Sequence, residues 1–341
     1  MVGRAKRARK IAAAAAFGGG GAGALGLATW GLLATEARIA RKVVGRPFEG
    51  APDDTGTYGS GFGDTIELLI LGDSTARGMG ADDRAQTVGA IVASAVAALT
   101  SRPVRLTNVS AIGAESADLD RQVDVAQDEV AEPDVAIIMV GANDVTHRID
   151  RSVSIRHLAM AVNRLRENGA EVVVGTCPDL GAVRPVPQPL RALMQRWSRD
   201  LAAAQTVAVV EQGGRTVSLG DLLGEEFHER PGVMFSKDQF HPSAAGYARA
   251  ASAILPSVLD ALGHHSIDTG RAPDERRGES VGPVAVAAVR AVADPGTEVS
   301  GTGDVGMRGR FAVLRRRHRH PVPGPTEAGT EPDDRGESTT N

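Results

Sequence analysis

Short, continuous apolar runs, each closed by a glycine, a proline or a polar turn, alternate through the middle of the chain with longer stretches of helical character. The first run, Ile66-Glu-Leu-Leu-Ile-Leu, stops abruptly at Gly72-Asp73-Ser74-Thr75. Runs of this kind, rich in Leu, Ile and Val on both sides, suit strands buried on both faces of a parallel sheet. Val104–Val109, Asp134–Val140 and Val172–Thr176 repeat the pattern, and Val207–Val210 is expected as a fifth strand. Between them the pattern predicts helices over Gln86–Leu99, from Ala114 to about Val130, over Val153–Asn168 with Gly169 as its stop, and over Leu190–Ala204. A last helix is expected over Pro242–Leu262, with proline in its first turn. Five strands alternating with helices predict a three-layer α/β/α sandwich around a mainly parallel five-stranded sheet, spanning residues 64–263.

The ends of the chain follow other patterns. Arg4, Lys6, Arg7, Arg9 and Lys10 form a basic head over residues 1–10, and no charged residue occurs from Ile11 to Ala34. That length matches a bilayer-spanning helix and exceeds a secretory apolar region. Residues 11–34 are therefore expected to be an uncleaved signal-anchor, with a cleaved signal peptide as the alternative. Either puts the following domain outside the cytoplasm, membrane-anchored or secreted, and the basic head favours a cytoplasmic N-terminus. Residues 35–63, rich in Gly, Pro, Asp and Thr after Val44, are expected as a linker. Residues 264–341 have little to bury and are expected to be a disordered tail, with a possible short helix at Pro283–Ala293. Its basic cluster, Arg308–His320, is either a solvated charge run or a contact for an anionic surface.

Composition narrows the classes. A net charge of -4 gives no case for nucleic-acid binding, and Cys177, the only cysteine, excludes an intramolecular disulfide and a cysteine-based metal site. Chemistry gathers at strand ends: Gly72-Asp73-Ser74 after the first, Gly113 after the second, Gly141-Ala-Asn143-Asp144 after the third, and Asp238-Gln-Phe-His241-Pro242 before the last helix. In a parallel sheet these stretches share the edge where ligands bind. Together they supply a nucleophile, a base, a group to orient the base, and donors for an oxyanion.

In that order the four blocks resemble the SGNH, or GDSL-type, hydrolases, a family of esterases and lipases. The resemblance runs from about Ile66 to Leu262 and implies the flavodoxin-like fold of that family. It implies Ser74 as nucleophile, His241 as base and Asp238 as its partner. The Ser74 amide, the Gly113 amide and the Asn143 side chain would form the oxyanion hole. It implies a small-molecule or lipid ester as substrate, an acyl-serine intermediate, and neither a metal nor an organic cofactor. Residue 75 is threonine where the family name has leucine, and the block Asn108–Gly113 lacks the extra glycine common before the oxyanion glycine. An acyltransferase, a carbohydrate O-acetylesterase and a non-catalytic glycan- or lipid-binding module are the alternatives on this scaffold. A nucleotide-binding domain would need a phosphate loop after the first strand, and Gly-x-x-x-x-Gly-Lys-Ser/Thr is absent there. The α/β-hydrolase elbow fails as well, since Gly72-Asp-Ser-Thr-Ala76 ends in alanine. Asp73 and Asp144 are expected as turn or capping residues, Cys177 as core, and His147, His157 and His228 as non-catalytic. Oligomeric state is not legible.

Overall fold

A computed structural model describes residues 31–39, 42, 50–264 and 298–300. The basic head, residues 11–30 of the expected membrane segment, and the tail features at Pro283–Ala293 and Arg308–His320 lie outside the described residues. Among the described residues no helix is long and apolar enough to cross a membrane.

A seven-stranded sheet runs in the order β1-β3-β2-β4-β5-β6-β7. Its middle five strands, β2 (Ile66–Gly72), β3 (Val104–Asn108), β4 (Val135–Met139), β5 (Glu171–Gly175) and β6 (Arg215–Val217), are parallel. Two antiparallel edge strands complete it, β1 (Gly56–Tyr58) against β3 and β7 (Glu298–Ser300) against β6. The strand alternation decides both layers. Leu68 and Ile70 of β2, Ile137 of β4 and Val173 of β5 join one core. They pack there with α3 (Val88–Thr100) and α10 (Ala244–Ala261). Leu69 and Leu71, Ile138, and Val172 and Val174 join the opposite core. There they meet α4 (Leu119–Glu129) and α6 (Arg151–Glu167). A strand's period of two sends successive side chains into different layers, so continuous apolar runs are required here.

Three expectations need correction. Val207–Val210 is not a strand: it is the last turn of α7 (Leu190–Glu211), where Val209 and Val210 are buried. The fifth parallel strand is instead the three-residue β6. The stretch 35–63 is not simply linker, because residues 31–39 are helical (α1) and residues 56–58 form β1. Asp54 anchors that segment: fully buried, it accepts hydrogen bonds from Thr87 Oγ1 (2.7 Å) and Asn108 Nδ2 (2.8 Å). Residues 298–300, expected within a disordered tail, supply β7. The polar stretch after residue 210 also holds α8 (Leu219–Glu229) and α9 (Pro231–Met234).

A third apolar cluster lies at the carboxyl end of the sheet. It joins α5 (Ala142–His147) to α7 and to the 177–190 segment through Ala142, Cys177, Leu180, Val183 and Leu190, with Trp197 packed against it. Arg148, just past α5, lies over the Trp197 ring at 6.0 Å.

Candidate active site

The nucleophile candidate owes its position to a backbone that only glycine permits. Gly72 closes β2 with φ 130°, and a Cβ there would lie 1.8 Å from the Met139 carbonyl oxygen of β4. Gln122 of α4 spans this point: its Oε1 accepts from the Gly72 amide at 2.7 Å and its Nε2 donates to the Gly72 carbonyl at 2.9 Å. The chain then turns directly into α2 (Ser74–Arg77), capped by the Asp73 side chain, which accepts from the Thr75 amide at 2.8 Å. Ser74 is thus the first residue of a helix, where the amide has no acceptor of its own within the helix.

Ser74 Oγ lies 2.9 Å from His241 Nε2, and His241 Nδ1 lies 2.6 Å from Asp238 Oδ2. The loop that carries this pair is braced from inside. Asp238 Oδ1 accepts from Ser236 Oγ (2.8 Å) and from the Phe240 and His241 amides (2.9 Å each). The Ser236 amide donates to the His241 carbonyl at 2.8 Å, and Gln239 takes the left-handed φ of 57° that the tight turn requires. Burial opposes the Asp238 charge most strongly. The hydrogen bonds from His241 and the Phe240 amide, with the His241 charge, outweigh it and hold the carboxyl below its usual range. Ser243 caps α10 immediately after the loop, and Tyr247 of that helix donates to the Met79 carbonyl at 2.7 Å, joining the histidine loop to the nucleophile turn.

Gly113 and Asn143 are brought together through one residue. Asn143 Nδ2 donates to the Ala114 carbonyl at 2.9 Å, which leaves its second N–H free to point elsewhere. Gly113 is exposed, with φ 82°. The loop is tied to the nucleophile strand by the Ala111 amide, which donates to the Gly72 carbonyl at 3.1 Å. Ser74, His241 and Asp238 are thus in direct contact, while Gly113 and Asn143 are joined to the nucleophile strand through the backbone of Ala111 and Ala114.

Beside them is an apolar cavity whose walls include Thr75, Ala142, Leu180, Val183, Phe227 and Phe240. Asp73, buried, also faces it, and burial raises its carboxyl from 3.8 to about 6.

The sequence model of the GDSL-like Lipase/Acylhydrolase family matches residues 70–249. GDSL-like esterase Rv1075c of Mycobacterium tuberculosis is 42% identical over 241 residues, covering 68% of this chain and 77% of that protein. The chain belongs to the GDSL-like lipase/acylhydrolase family. As a member it is an esterase/acylhydrolase. Among solved structures similar to this GDSL-like acylhydrolase, TesA is 24% identical with a TM-score of 0.46, covering 57% of this chain and 99% of TesA. A single-substitution variant of Axe2, an acetyl xylan esterase from Geobacillus stearothermophilus, is 21% identical with a TM-score of 0.41, covering 62% of this chain and 98% of that one.

The neighbours of the GDSL-like blocks divide as follows. Asp73 is a helix cap, as expected. Asp144 is not a cap: buried, it accepts from the Ser116 amide (3.2 Å), Ser116 Oγ (3.1 Å) and Ser154 Oγ (2.6 Å), tying the Gly113 loop to α5 and α6. His147, His157 and His228 each face a carboxylate, on Glu115, Asp120 and Asp179 respectively. Cys177 is core, and burial pushes its thiol well above its ordinary value. Gln122, Gln205 and Asp179 hold the site's surroundings together without any mark in the sequence. Gln205 lies in α7 and pairs the Val140 carbonyl with the Cys177 amide at 3.0 and 2.7 Å. A helical glutamine has no local signal for such a role, because its partners lie on other elements.

Proposed function

We propose that this GDSL-like protein is a serine esterase that works through an acyl-serine, with Ser74, His241 and Asp238 as its triad. The continuous path from Ser74 Oγ through the imidazole to the Asp238 carboxylate, at 2.9 and 2.6 Å, carries the reading. Ser74 Oγ attacks the ester carbonyl carbon as its proton passes to His241 Nε2, and the carbonyl electrons move onto oxygen. Asp238 holds Nδ1 protonated and stabilises the imidazolium. The oxyanion is received by the Ser74 and Gly113 amides and the free N–H of Asn143 Nδ2. Collapse expels the alcohol, which takes the proton from Nε2. Water, deprotonated by the same nitrogen, then attacks the acyl-serine and releases the acid. The apolar cavity beside Thr75 receives the acyl chain, which favours esters of apolar acids.

Turnover of p-nitrophenyl esters of rising chain length, with Ser74→Ala alongside, tests the reading. The expected result is serine-dependent hydrolysis, with about 10³-fold or greater loss in the variant. Unchanged turnover in Ser74→Ala would overturn the mechanism.

The proposal includes a location outside the cytoplasm, tethered through the part of the 11–34 segment that precedes Leu33, which itself packs on the domain. Its support is the basic head followed by a segment with no charge from Ile11 to Ala34. N-terminal sequencing of the membrane fraction is expected to find an intact N-terminus. A shortened protein free in the medium would sink the anchor.

A further inference from the structure

Helix α7 begins without a cap of its own. Pro189 occupies the N-cap position and offers no side-chain acceptor. Three of its early amides are served nearby: Arg191 by the Pro187 carbonyl, Ala192 by Gln188 Oε1, and Leu193 by the Pro189 carbonyl. The Leu190 amide is served from far away in sequence. It donates to Glu36 Oε2 at 2.9 Å, across 154 residues. Glu36 is only 5% exposed, so helix α1 delivers a buried carboxylate to the positive end of a 22-residue helix. Leu33 and Ala37, on either side of Glu36, pack on the apolar cluster that contains Leu180, Val183, Val186 and Leu190.

Leu180 and Val183 also wall the cavity next to Thr75. The segment between Pro178 and Leu190 is therefore pinned at both ends. Near its start, Asp179 accepts from the Gly181 amide at 2.8 Å and from Gln195 Nε2 at 3.1 Å. At its end stands Glu36. A buried carboxylate is retained only where strong donors compensate it, and here the compensation is the amide that fixes the wall.

We propose that Glu36 is a positioning residue for the acyl-binding wall, so that the helix leading out of the N-terminal segment sets which acyl chains the site accepts. The proposal rests on the serine-esterase reading for its activity readout, but the contact itself is measured independently of turnover.

The test uses the full chain with Glu36→Ala and Glu36→Gln. Hydrogen exchange at the Leu190 amide and kcat/KM on octanoyl and acetyl p-nitrophenyl esters are measured together. In Glu36→Ala the Leu190 amide is expected to exchange about fivefold faster or more, the scale of a lost helix cap. The octanoyl-to-acetyl ratio of kcat/KM is expected to fall by a similar factor, with KM for the octanoyl ester carrying most of the change. Glu36→Gln keeps an oxygen acceptor without the charge, and both readouts are expected between wild type and alanine. An unchanged ratio beside faster exchange would overturn the proposal. So would losses equal for both esters that simply follow the melting temperature. Should the alanine variant fail to fold, a Glu36→Gln protein identical to wild type in both readouts would overturn it as well. If wild type turns over neither ester, the serine-esterase reading fails while the exchange result still judges the contact.

Discussion

Replacing Asp238 by asparagine isolates what the carboxylate does for the histidine. Oδ1 accepts three hydrogen bonds, from Ser236 Oγ and from the Phe240 and His241 amides. An asparagine must therefore keep its oxygen on that side, since turning its NH2 toward three donors would leave buried groups unpaired at about 1–3 kcal/mol each. The NH2 then faces His241 Nδ1, which has to accept rather than donate. The proton moves to Nε2, the atom that in the proposed mechanism removes the proton of Ser74 Oγ, so the imidazole is held in the unproductive tautomer. In serine proteases the equivalent exchange lowers kcat by about 10⁴-fold, about 5.5 kcal/mol of barrier. A loss of that size is expected here in kcat for a short p-nitrophenyl ester at pH 7.5. The loop's internal bonds survive, so thermal unfolding should stay close to wild type. A loss below about tenfold, with the fold intact, would show that Asp238 does not set the tautomer of His241.

Further expectations follow from the same site. Asn143→Ala should lower kcat by about 10²–10³-fold with little change in KM, because an oxyanion donor acts on the transition state; steady-state kinetics decide it. Asp73 titrates at about 6 in the folded protein against 3.8 ordinarily, so between these values the folded state holds a proton that the unfolded chain has released. Stability from this group is greatest below pH 4 and falls as the pH rises through 6, so Asp73→Asn should stabilise the protein at pH 7.5 by up to about 3 kcal/mol. Melting curves at pH 7.5 and pH 4 test this, and an equal gain at both would refute it. Gly72→Ala should abolish soluble folded protein, since its Cβ would sit 1.8 Å from the Met139 carbonyl oxygen; circular dichroism of any recovered material checks this.

The three strands that carry site blocks, β2, β3 and β4, were legible because each is largely buried on both faces and ends in residues with fixed chemistry. Helix and strand were confused where burial looks alike in both. Val207-Ala-Val-Val210 is β-branched and apolar, but it continues a helix from Leu190 whose inward face meets the sheet. The true strand, Arg215–Val217, has three residues and is too short to show a period. Ser74, Asp238 and His241 were legible because their spacing reflects local turns: a helix start after a strand, and a loop in which Asp238 bonds backbone only two and three residues away. Glu36, Asp54, Gln122 and Gln205 act on partners between 28 and 154 residues distant. Such pairings depend on the assembled fold, and no window of sequence contains them. Asp144 misled for that reason, since it lies in the first turn of α5 but serves Ser116 and Ser154.

The scarcity of aromatic residues gives the domain a built-in optical probe. Of the two tryptophans in the chain, at positions 30 and 197, Trp197 is the one beyond the N-terminal segment. Its indole rests on the cluster that walls the cavity, under the guanidinium of Arg148 at the end of the helix bearing Asn143. A shift of either element changes the charge and the polarity around that ring. In a chain carrying Trp30→Phe, emission on excitation at the red edge of the absorption band would come from this single reporter. The arrival of an acyl chain and its departure as product could then be followed by intrinsic fluorescence, with no label attached to protein or ester.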